Sequence, residues 1–373
     1  MAVPMPAIQA LMGESTVFPG ATAHTDYTKP SVATILSGLY PSETGALPRP
    51  APVDKDVVLV MERLEKAGVE TVGFMSNYFF NPAFGLRRGW TVQSFVDPWV
   101  AAVDDKVVLD AFDEWAKAGV PEGPVFVYVH LMGAHAPYAP PKDIEDIFLG
   151  GEDLLKRIVP LETSNLVTDL TVGKAKRLNQ GETDQLRALY RGDAAFHDRI
   201  VERLIGSLEA SGLAKRALLV YTADHGEEFY ENGHVGHGTG LWHHQVHVPL
   251  FVRVPGAGGR VSTTTAGHVD IVPTILEALG QPVPDGLPGR SLLGIAAAAP
   301  EIDRGLLLQQ WMGRWGIVVG EWKLVRREDE ETLSRIHGAV EEILEAGQNP
   351  VLARYLAARI EWARRDGLAA EAA

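Results

Sequence analysis

The residues best placed for chemistry follow an apolar run near the middle of the chain. The segment LLVYTADHGEEFYENGHVGHG, residues 218–238, holds three of the chain's 12 histidines together with several carboxylates. The run 217–221 predicts a strand that is buried on both faces of a parallel sheet. Asp224 and His225 fall where this strand ends, and ligands of open α/β sheets bind at that edge. The pair could form a metal site, a general-base pair or a capped turn.

Two further segments bring hydroxyl and imidazole groups to the ends of predicted elements. HTDYTKPSVATILSGLYPSETG (24–45) places Thr28 and Ser31 near the N-terminus of a predicted helix. A hydroxyl there meets positive potential and free N–H donors, which suits an attacking oxygen or a bound oxyanion. VYVHLMGAHAPYAPP (127–141) carries His130 and His135 from a predicted strand into a loop. Thr28 could instead cap the helix, and His135 could be an exposed loop histidine.

Strand and helix patterns alternate over most of the chain, which predicts an α/β fold: a doubly wound, mostly parallel sheet with helices on both faces. The predicted helices cover 57–68, 101–119, 181–213 and 270–280, and the predicted strands 69–77, 125–132, 217–221 and 248–256. Beyond a soft boundary near residue 300, GLLLQQW, WGIVVG and EWKLVRRE predict a small antiparallel sheet. Two charged amphipathic helices are predicted near 329–346 and 350–366. The chain is thus divided into domains 1–300 and 301–373.

Composition excludes several classes of protein. Asp and Glu number 48 against 34 Lys and Arg, so the net charge of −14 argues against a nucleic-acid partner. The absence of cysteine excludes disulfides, thiolate metal ligands and a cysteine nucleophile. No apolar stretch reaches membrane-spanning length, and the N-terminus lacks a signal-peptide pattern. As written, the chain is expected to be cytoplasmic, although an export or membrane segment could lie upstream.

Six motifs occur in an order that resembles the sulfatase family of the alkaline phosphatase superfamily. They are TKPSVATILSGLYP, VFVYVHLMGAHAPY, TADHGEEF, GHG, HVPL and DIVPTILEALG. The resemblance covers roughly Pro6 to Arg326, and WGIVVGEWKLV looks like the strand pair of the family's C-terminal subdomain. It implies an alkaline phosphatase-like fold and metal-dependent hydrolysis of a small anionic ester. Residues 1–300 would form the catalytic domain.

The resemblance also implies roles for individual residues. Thr28 stands at the nucleophile position and, with Asp224 and His225, would bind one divalent ion. His135 would contact the transferred group or protonate the leaving oxygen. His237 would contact substrate or the metal ion, and Lys323 would contact substrate. A carboxylate–imidazole pair suits Mn²⁺ or Zn²⁺ better than Ca²⁺. We interpret the remaining histidines and carboxylates near the motifs as surface, strand-edge or solvated-turn residues: His243, His244, His247, Glu227 and Glu228.

The chain departs from the family at the nucleophile. Sulfatases convert a Cys or Ser to formylglycine, whose second hydroxyl expels sulfate, and usually carry Arg two residues beyond the Pro. Here Thr28 cannot become an aldehyde, and Val32 replaces the Arg. Phosphoryl relatives turn over with an unmodified Ser or Thr, so this departure favours a phosphate ester, phosphodiester or phosphonate over a sulfate ester.

A second departure concerns the first strand, which in the family ends in metal-binding Asp residues. The chain begins at MPAIQALMGESTVF, after the point where that strand would stand. We expect an apolar slot in its place, poor solubility or weak metal binding, and an upstream reading frame that encodes a short apolar strand ending in Asp. Three hypotheses follow: an ester hydrolase or phosphotransferase, an inactive sulfatase-fold protein or binding module, and an unrelated α/β protein.

Overall fold

A computed structural model describes residues 3–48, 50–96, 105–151, 153–294, 304–328, 330–338, 340–345 and 347–366. The predicted boundary near residue 300 and the first residues of the helix predicted over 101–119 lie outside this part of the chain. The described helices are α1 (Pro6–Gly13), α2 (Thr28–Ser37), α3 (Val60–Lys66), α4 (Asp105–Gly119), α5 (Lys142–Leu149), α6 (Thr163–Thr171), α7 (Gln180–Ala210), α8 (His243–Val246), α9 (Ile271–Ala278) and α10 (Pro350–Asp366).

The strands form four separate hydrogen-bonded groups. The described strands are β1 (Thr16–Val17), β2 (Glu70–Met75), β3 (Val92–Phe95), β4 (Val125–His130), β5 (Leu219–Thr222), β6 (Glu228–Phe229), β7 (Val235–Gly236), β8 (Leu250–Arg253), β9 (Arg260–Val261), β10 (Gly305–Gln309), β11 (Trp315–Val319), β12 (Trp322–Arg327), β13 (Glu330–His337) and β14 (Val340–Ile343). Their orders are β3-β2-β4, β5-β8-β1-β9, β6-β7 and β10-β11-β12-β13-β14.

Two sheets carry the α/β part of the fold. β3, β2 and β4 pair in parallel, as predicted, whereas β8 runs antiparallel to both β5 and β1. One layer of helices, α2, α3 and α9, packs on one face through a core that includes Val32, Leu64 and Val272. α4 and α7 cover the other face. The predicted α/β architecture is therefore confirmed.

The longest helix, α7, has a clear start signal. The Asn179 side chain accepts a hydrogen bond from the Glu182 N–H at 3.0 Å, and the Glu182 carboxylate accepts one from the Asn179 N–H at 2.9 Å. This reciprocal capping satisfies two donors that the first turn would otherwise leave unpaired. The helix brings His197 to the Tyr221 hydroxyl of β5, at 3.2 Å, and Asp198 to the N–H groups of the first turn of α1.

The C-terminal part is a five-stranded antiparallel sheet with α10 packed on it. The predicted strands at 305–327 and the predicted helix over 350–366 are confirmed. The helix predicted near 329–346 is wrong, because the described residues there form the β13–β14 hairpin. Thr332 and Leu333 pair with Val325 and Leu324 of β12, so a partner strand fixes the extended backbone despite a helix-like charge pattern.

No described helix combines the length and the apolar character that a bilayer crossing requires.

Candidate active site

Thr28 opens a helix that is completely buried. All ten residues of α2 are buried, and Gly38 ends the helix with a φ of 77°, a conformation that suits glycine. Tyr27 occupies the cap position and no side chain caps the helix, so Thr28 does not have the capping role. Its hydroxyl Oγ1 lies 3.0 Å from His225 Nε2. Val32, at the position where the family usually carries arginine, is fully buried in the apolar core.

Asp224 and His225 follow β5 directly and meet Thr28 there. Asp224 Oδ1 accepts a hydrogen bond from the His225 N–H at 3.0 Å, and Oδ2 lies 3.4 Å from His225 Nε2. Burial alone would raise the pKa of Asp224, but His225, His130 and His237 outweigh it and lower the pKa to about 2. The Asp224 carboxylate is thus ionised throughout the neutral pH range.

The tautomer of His225 follows from its second ring nitrogen. Nδ1 lies 3.0 Å from the carbonyl oxygen of Gly226, and a carbonyl can only accept a hydrogen bond. Nδ1 therefore carries the proton, and in the neutral ring Nε2 presents a lone pair to the Thr28 hydroxyl. This geometry allows His225 either to take the Thr28 proton or to bind a metal ion through Nε2.

His237 and His135 complete a row of imidazoles beside His225. The His237 ring centre is 4.2 Å from that of His225 and 5.2 Å from that of His135. His135 lies exposed in the loop after β4, where its Nδ1 donates to the Ala136 carbonyl at 2.6 Å. The structure therefore brings together five predicted site residues at one edge of the sheets: Thr28, His135, Asp224, His225 and His237.

The loop that carries His135 is held by Asp105 at the start of α4. The Asp105 carboxylate accepts hydrogen bonds from the Met132 N–H at 2.6 Å and the Gly133 N–H at 2.9 Å. Burial would raise the pKa of Asp105, but His197 and these two N–H donors lower it. An ionised carboxylate thus fixes the loop backbone just ahead of His135. Sequence reasoning missed Asp105, because it lies 30 residues from the histidine that it positions.

Glu227 and Glu228 contradict the prediction of a solvated turn. Glu228 is fully buried, and Glu227 Oε1 pairs with His237 Nδ1 at 3.0 Å. The Tyr138 hydroxyl donates to the other Glu227 oxygen at 2.9 Å. Burial would lower the pKa of His237, but the facing Glu227 carboxylate raises it above its ordinary value. Glu227 therefore favours the charged form of His237, which lies within the site.

Asp26, two residues before Thr28, is a buried carboxylate that the motif comparison left without a role. Its Oδ2 accepts hydrogen bonds from the Gly240 N–H at 3.0 Å and Gln310 Nε2 at 2.5 Å. Its Oδ1 is buried and has no hydrogen-bond partner. Burial raises the pKa of Asp26, against the opposing influence of Gln310 and of His225 and His237. In the sequence, the only feature that points to Asp26 is its position two residues before Thr28, the predicted nucleophile.

Lys323 lies outside this cluster. It is fully buried in β12, and its Nζ pairs with Glu341 Oε1 at 3.0 Å. Glu341 also accepts a hydrogen bond from the His243 N–H at 2.7 Å. The contacts therefore favour a structural ion pair over the predicted substrate contact. His243 itself is buried in the short helix α8, so its interpretation as a strand-edge or surface residue is wrong.

Members of the family that the motifs resemble typically bind a divalent ion, so the side chains around Thr28 are candidate metal ligands. Asp224, His225 and the Thr28 hydroxyl offer a mixed oxygen and nitrogen donor set of the kind that suits Mn²⁺ or Zn²⁺. Within the described ranges, however, no group of three or more His, Asp or Glu side chains is placed to hold a metal ion. Catalytic zinc sites use three protein ligands. The donor set of the described residues is thus incomplete.

The family of the chain follows from sequence comparison. The sulfatase family model matches residues 1–281. The chain belongs to the sulfatase family. A multifunctional alkaline phosphatase superfamily protein, PehA of Trinickia caryophylli, is 30% identical over 137 residues, which cover 35% of this chain and 26% of that protein. Rat arylsulfatase K is 22% identical over 380 residues, covering 88% of this chain and 67% of the relative.

Solved structures show the same fold. The phosphonate monoester hydrolase of Silicibacter pomeroyi has a TM-score of 0.73 at 21% identity and covers 98% of this chain and 90% of its own. The phosphonate monoester hydrolase of Agrobacterium radiobacter has a TM-score of 0.76 at 18% identity, covering 100% of this chain and 92% of its own. At these identities the likeness concerns the alkaline phosphatase-like fold with its C-terminal antiparallel sheet. The segment similar to PehA spans about a quarter of that protein's length.

The charge on His237 leads to a testable pH dependence. An imidazolium attracts an anionic ester, and it is present below the raised pKa of His237 and lost as the pH rises through it. KM should therefore increase as the pH rises through this pKa, which lies above the ordinary value for histidine. Replacing Glu227 by Gln removes the charge that raises this pKa, so the increase in KM should begin at lower pH.

This prediction is checked by measuring KM between about pH 5.5 and pH 9 for the unsubstituted protein and Glu227→Gln. Glu321→Gln, at an exposed position in the turn between β11 and β12, is the control. Identical KM profiles in all three proteins would contradict the role given to Glu227.

Proposed function

We propose that the chain hydrolyses a small phosphate or phosphonate ester through a covalent Thr28 ester. Its membership of the sulfatase family supports hydrolysis of an ester bond. The observation that carries the proposal is the 3.0 Å contact between Thr28 Oγ1 and His225 Nε2, at the N-terminus of a buried helix. An unmodified hydroxyl beside an imidazole acceptor is the arrangement that activated nucleophiles use.

The first step forms the Thr28 ester. As Thr28 Oγ1 attacks phosphorus, its proton passes to Nε2 of His225, whose Nδ1 proton is held by the Gly226 carbonyl. The O–H bond and the bond from phosphorus to the leaving oxygen break, and the bond from Oγ1 to phosphorus forms. The positive end of the α2 dipole and the protonated form of His237 would stabilise negative charge on the phosphoryl oxygens.

The leaving group and the second step need an acid and a water molecule. His135 lies exposed in the loop after β4, within the imidazole row, and would donate a proton to the departing alkoxide. Water then attacks the phosphorus of the Thr28 ester and gives a proton to the deprotonated His135. The bond from phosphorus to Oγ1 breaks, Nε2 of His225 returns its proton to Oγ1, and the phosphate or phosphonate product leaves. Thr28 has no second hydroxyl with which to expel its ester group, so this turnover needs a phosphoryl centre that external water can attack.

The predicted divalent ion at Thr28, Asp224 and His225 stays a prediction. If it binds there, it would supply positive charge to the nucleophile and the substrate oxygens. The steps above use only side chains of this chain, because the described donors are too few for a complete metal site.

Substrate preference tests the proposed function. With one leaving group throughout, kcat/KM for p-nitrophenyl phosphate or p-nitrophenyl phenylphosphonate should exceed that for p-nitrophenyl sulfate by about 100-fold or more, about 3 kcal/mol in the barrier. The common leaving group ensures that the ratio reports on the transferred group alone. Faster turnover of the sulfate ester would overturn the argument from Thr28. No turnover of any ester would favour the inactive sulfatase-fold alternative.

A further inference from the structure

The segment 24–28, which ends at the predicted nucleophile, is held by the first strand of the C-terminal sheet. His24 Nδ1 donates a hydrogen bond to the Leu307 carbonyl of β10 at 2.7 Å. The His24 carbonyl accepts one from the Gln309 N–H at 2.8 Å. Both partners belong to β10, so this strand fixes the backbone just ahead of Asp26.

Asp26 connects this segment to the loop that carries His237. Its backbone carbonyl accepts a hydrogen bond from the Gly238 N–H at 2.9 Å, and its Oδ2 accepts one from the Gly240 N–H at 3.0 Å. Gly238 has a φ of 74°, which L side chains rarely adopt, so the chain turns sharply directly after His237. Two hydrogen bonds to one residue thus fix the backbone on the C-terminal side of that histidine.

A turn of the C-terminal sheet orients the Asp26 carboxylate. Gln310, directly after β10, donates from Nε2 to Asp26 Oδ2 at 2.5 Å, and its Oε1 accepts from Arg314 Nη1 at 2.6 Å. A guanidinium only donates hydrogen bonds, so the contact with Arg314 identifies Oε1 and leaves Nε2 to face the carboxylate. Asp26 and Gln310 are 0% and 1% exposed, so bulk water does not compete for this contact.

The loop of His237 is also held on its other side. Glu227 Oε1 pairs with His237 Nδ1 at 3.0 Å. Gln245 of α8 accepts a hydrogen bond from the Thr239 N–H at 3.3 Å and donates one to Thr239 Oγ1 at 2.7 Å. These contacts fix the loop to α8 and to the residue before β6, whereas Asp26 fixes it to the nucleophile segment. The separation between His237 and the nucleophile therefore depends on Asp26.

We propose that Asp26 is a positioning residue for ester hydrolysis, which holds the loop of His237 at a fixed place beside Thr28. This inference rests on the proposed function, in which the protonated form of His237 stabilises the phosphoryl oxygens while Thr28 attacks. The hydrogen bonds of Asp26 reach the loop backbone, so its contribution passes through His237. Charge stabilisation depends on preorganised groups, and a displacement of about 1 Å is enough to weaken catalysis strongly.

A double-mutant cycle with His237 tests this role. Asp26→Ala should lower kcat/KM for p-nitrophenyl phosphate by about 10-fold or more, because the loop loses its carboxylate anchor. In a His237→Ala background the same substitution should cost less than about 3-fold, because the group that Asp26 positions is gone. In a His135→Ala background it should keep its full cost. A disturbance of Thr28 would instead lower kcat/KM in all three backgrounds.

Asp26→Asn is the matched control, because its carbonyl oxygen can still accept the hydrogen bonds from Gly240 and Gln310. It should keep kcat/KM within about 3-fold of the unsubstituted protein. Gln310→Leu keeps a similar side-chain volume and removes the contact that orients the carboxylate. It should lower kcat/KM by about 3-fold or more, again only where His237 is present. The melting temperature of each variant is measured as the check on folding.

Amide hydrogen exchange reports on the same contact without any turnover. The Gly240 amide should exchange about 10-fold or more faster in Asp26→Ala than in Asp26→Asn, because its N–H loses the acceptor. The amides of β5 should exchange alike in both variants. Faster exchange at Gly240 in a protein that hydrolyses no ester would contradict the proposed function, yet would still identify Asp26 as the residue that holds the loop.

Two results would overturn the proposal. The first is a cost of Asp26→Ala that is the same with and without His237, which would place the effect on the nucleophile or on the fold. The second is equal exchange of the Gly240 amide in Asp26→Ala and Asp26→Asn, which would show that the carboxylate does not hold the loop. If Asp26→Ala does not fold, Gln310→Leu supplies both comparisons against the unsubstituted protein.

Discussion

Replacing Thr28 by Val is expected to lower kcat by about 1,000-fold or more, which corresponds to about 4 kcal/mol of transition-state stabilisation. Thr28 is 5% exposed within a helix whose ten residues are all buried. Valine keeps its volume and branched shape and removes only the hydroxyl. A loss of turnover would therefore report on the missing nucleophile rather than on damaged packing. The measurement is kcat for p-nitrophenyl phosphate, with the melting temperature as the check on folding.

Thr28→Ser is the matched control, because it keeps the hydroxyl and loses only a methyl group. It should retain activity within about 10-fold of the unsubstituted protein. Ser31 does not offer a substitute nucleophile in Thr28→Val, since its hydroxyl donates to the Asp224 carbonyl at 2.6 Å. Turnover in Thr28→Val that matches the unsubstituted protein would show that another group attacks the ester.

The composition of the site was largely predictable, because the carboxyl ends of neighbouring parallel strands meet at one edge of a sheet. The sequence places Asp224 and His225 after one predicted strand and His135 after another, and the order of the family motifs adds Thr28 and His237. The structure brings these five residues together. Their chemical roles stay predictions, since geometry alone does not distinguish a metal ligand from a proton acceptor.

The supporting residues were harder to predict, because each depends on tertiary contacts that local pattern does not encode. Glu227 and Glu228 have the polar character of an exposed turn, yet pairing with His237 and Gln245 stabilises them in a buried position. Asp105 positions the loop of His135 from a distant helix. Lys323 lies in a motif that suggested substrate contact, but its buried partner Glu341 comes from a strand that the sequence pattern presented as helix.

Replacing His225 by Ala is expected to lower kcat/KM by about 100-fold to 10,000-fold, the range for loss of general acid–base catalysis. The Nδ1 contact with the Gly226 carbonyl leaves Nε2 as the group that faces Thr28 Oγ1. Alanine removes this acceptor. Asp224 also contacts Thr28, but it is a weak base because its pKa is lowered to about 2. His337→Ala, at an exposed position of β13, is the matched control and should retain activity.

The way in which His225→Ala is rescued separates the two roles that Nε2 allows. As a proton acceptor, His225 should be replaceable by added imidazole, and the loss should shrink as rising pH supplies a stronger base. If His225 is a metal ligand, a higher concentration of Mn²⁺ or Zn²⁺ should restore activity to His225→Ala. Chelation should then abolish the activity of the unsubstituted protein. Rescue by imidazole without any dependence on metal would contradict the prediction that Asp224 and His225 bind a metal ion. Activity of His225→Ala equal to that of His337→Ala would contradict both roles, because the 3.0 Å contact with Thr28 would then contribute nothing to turnover.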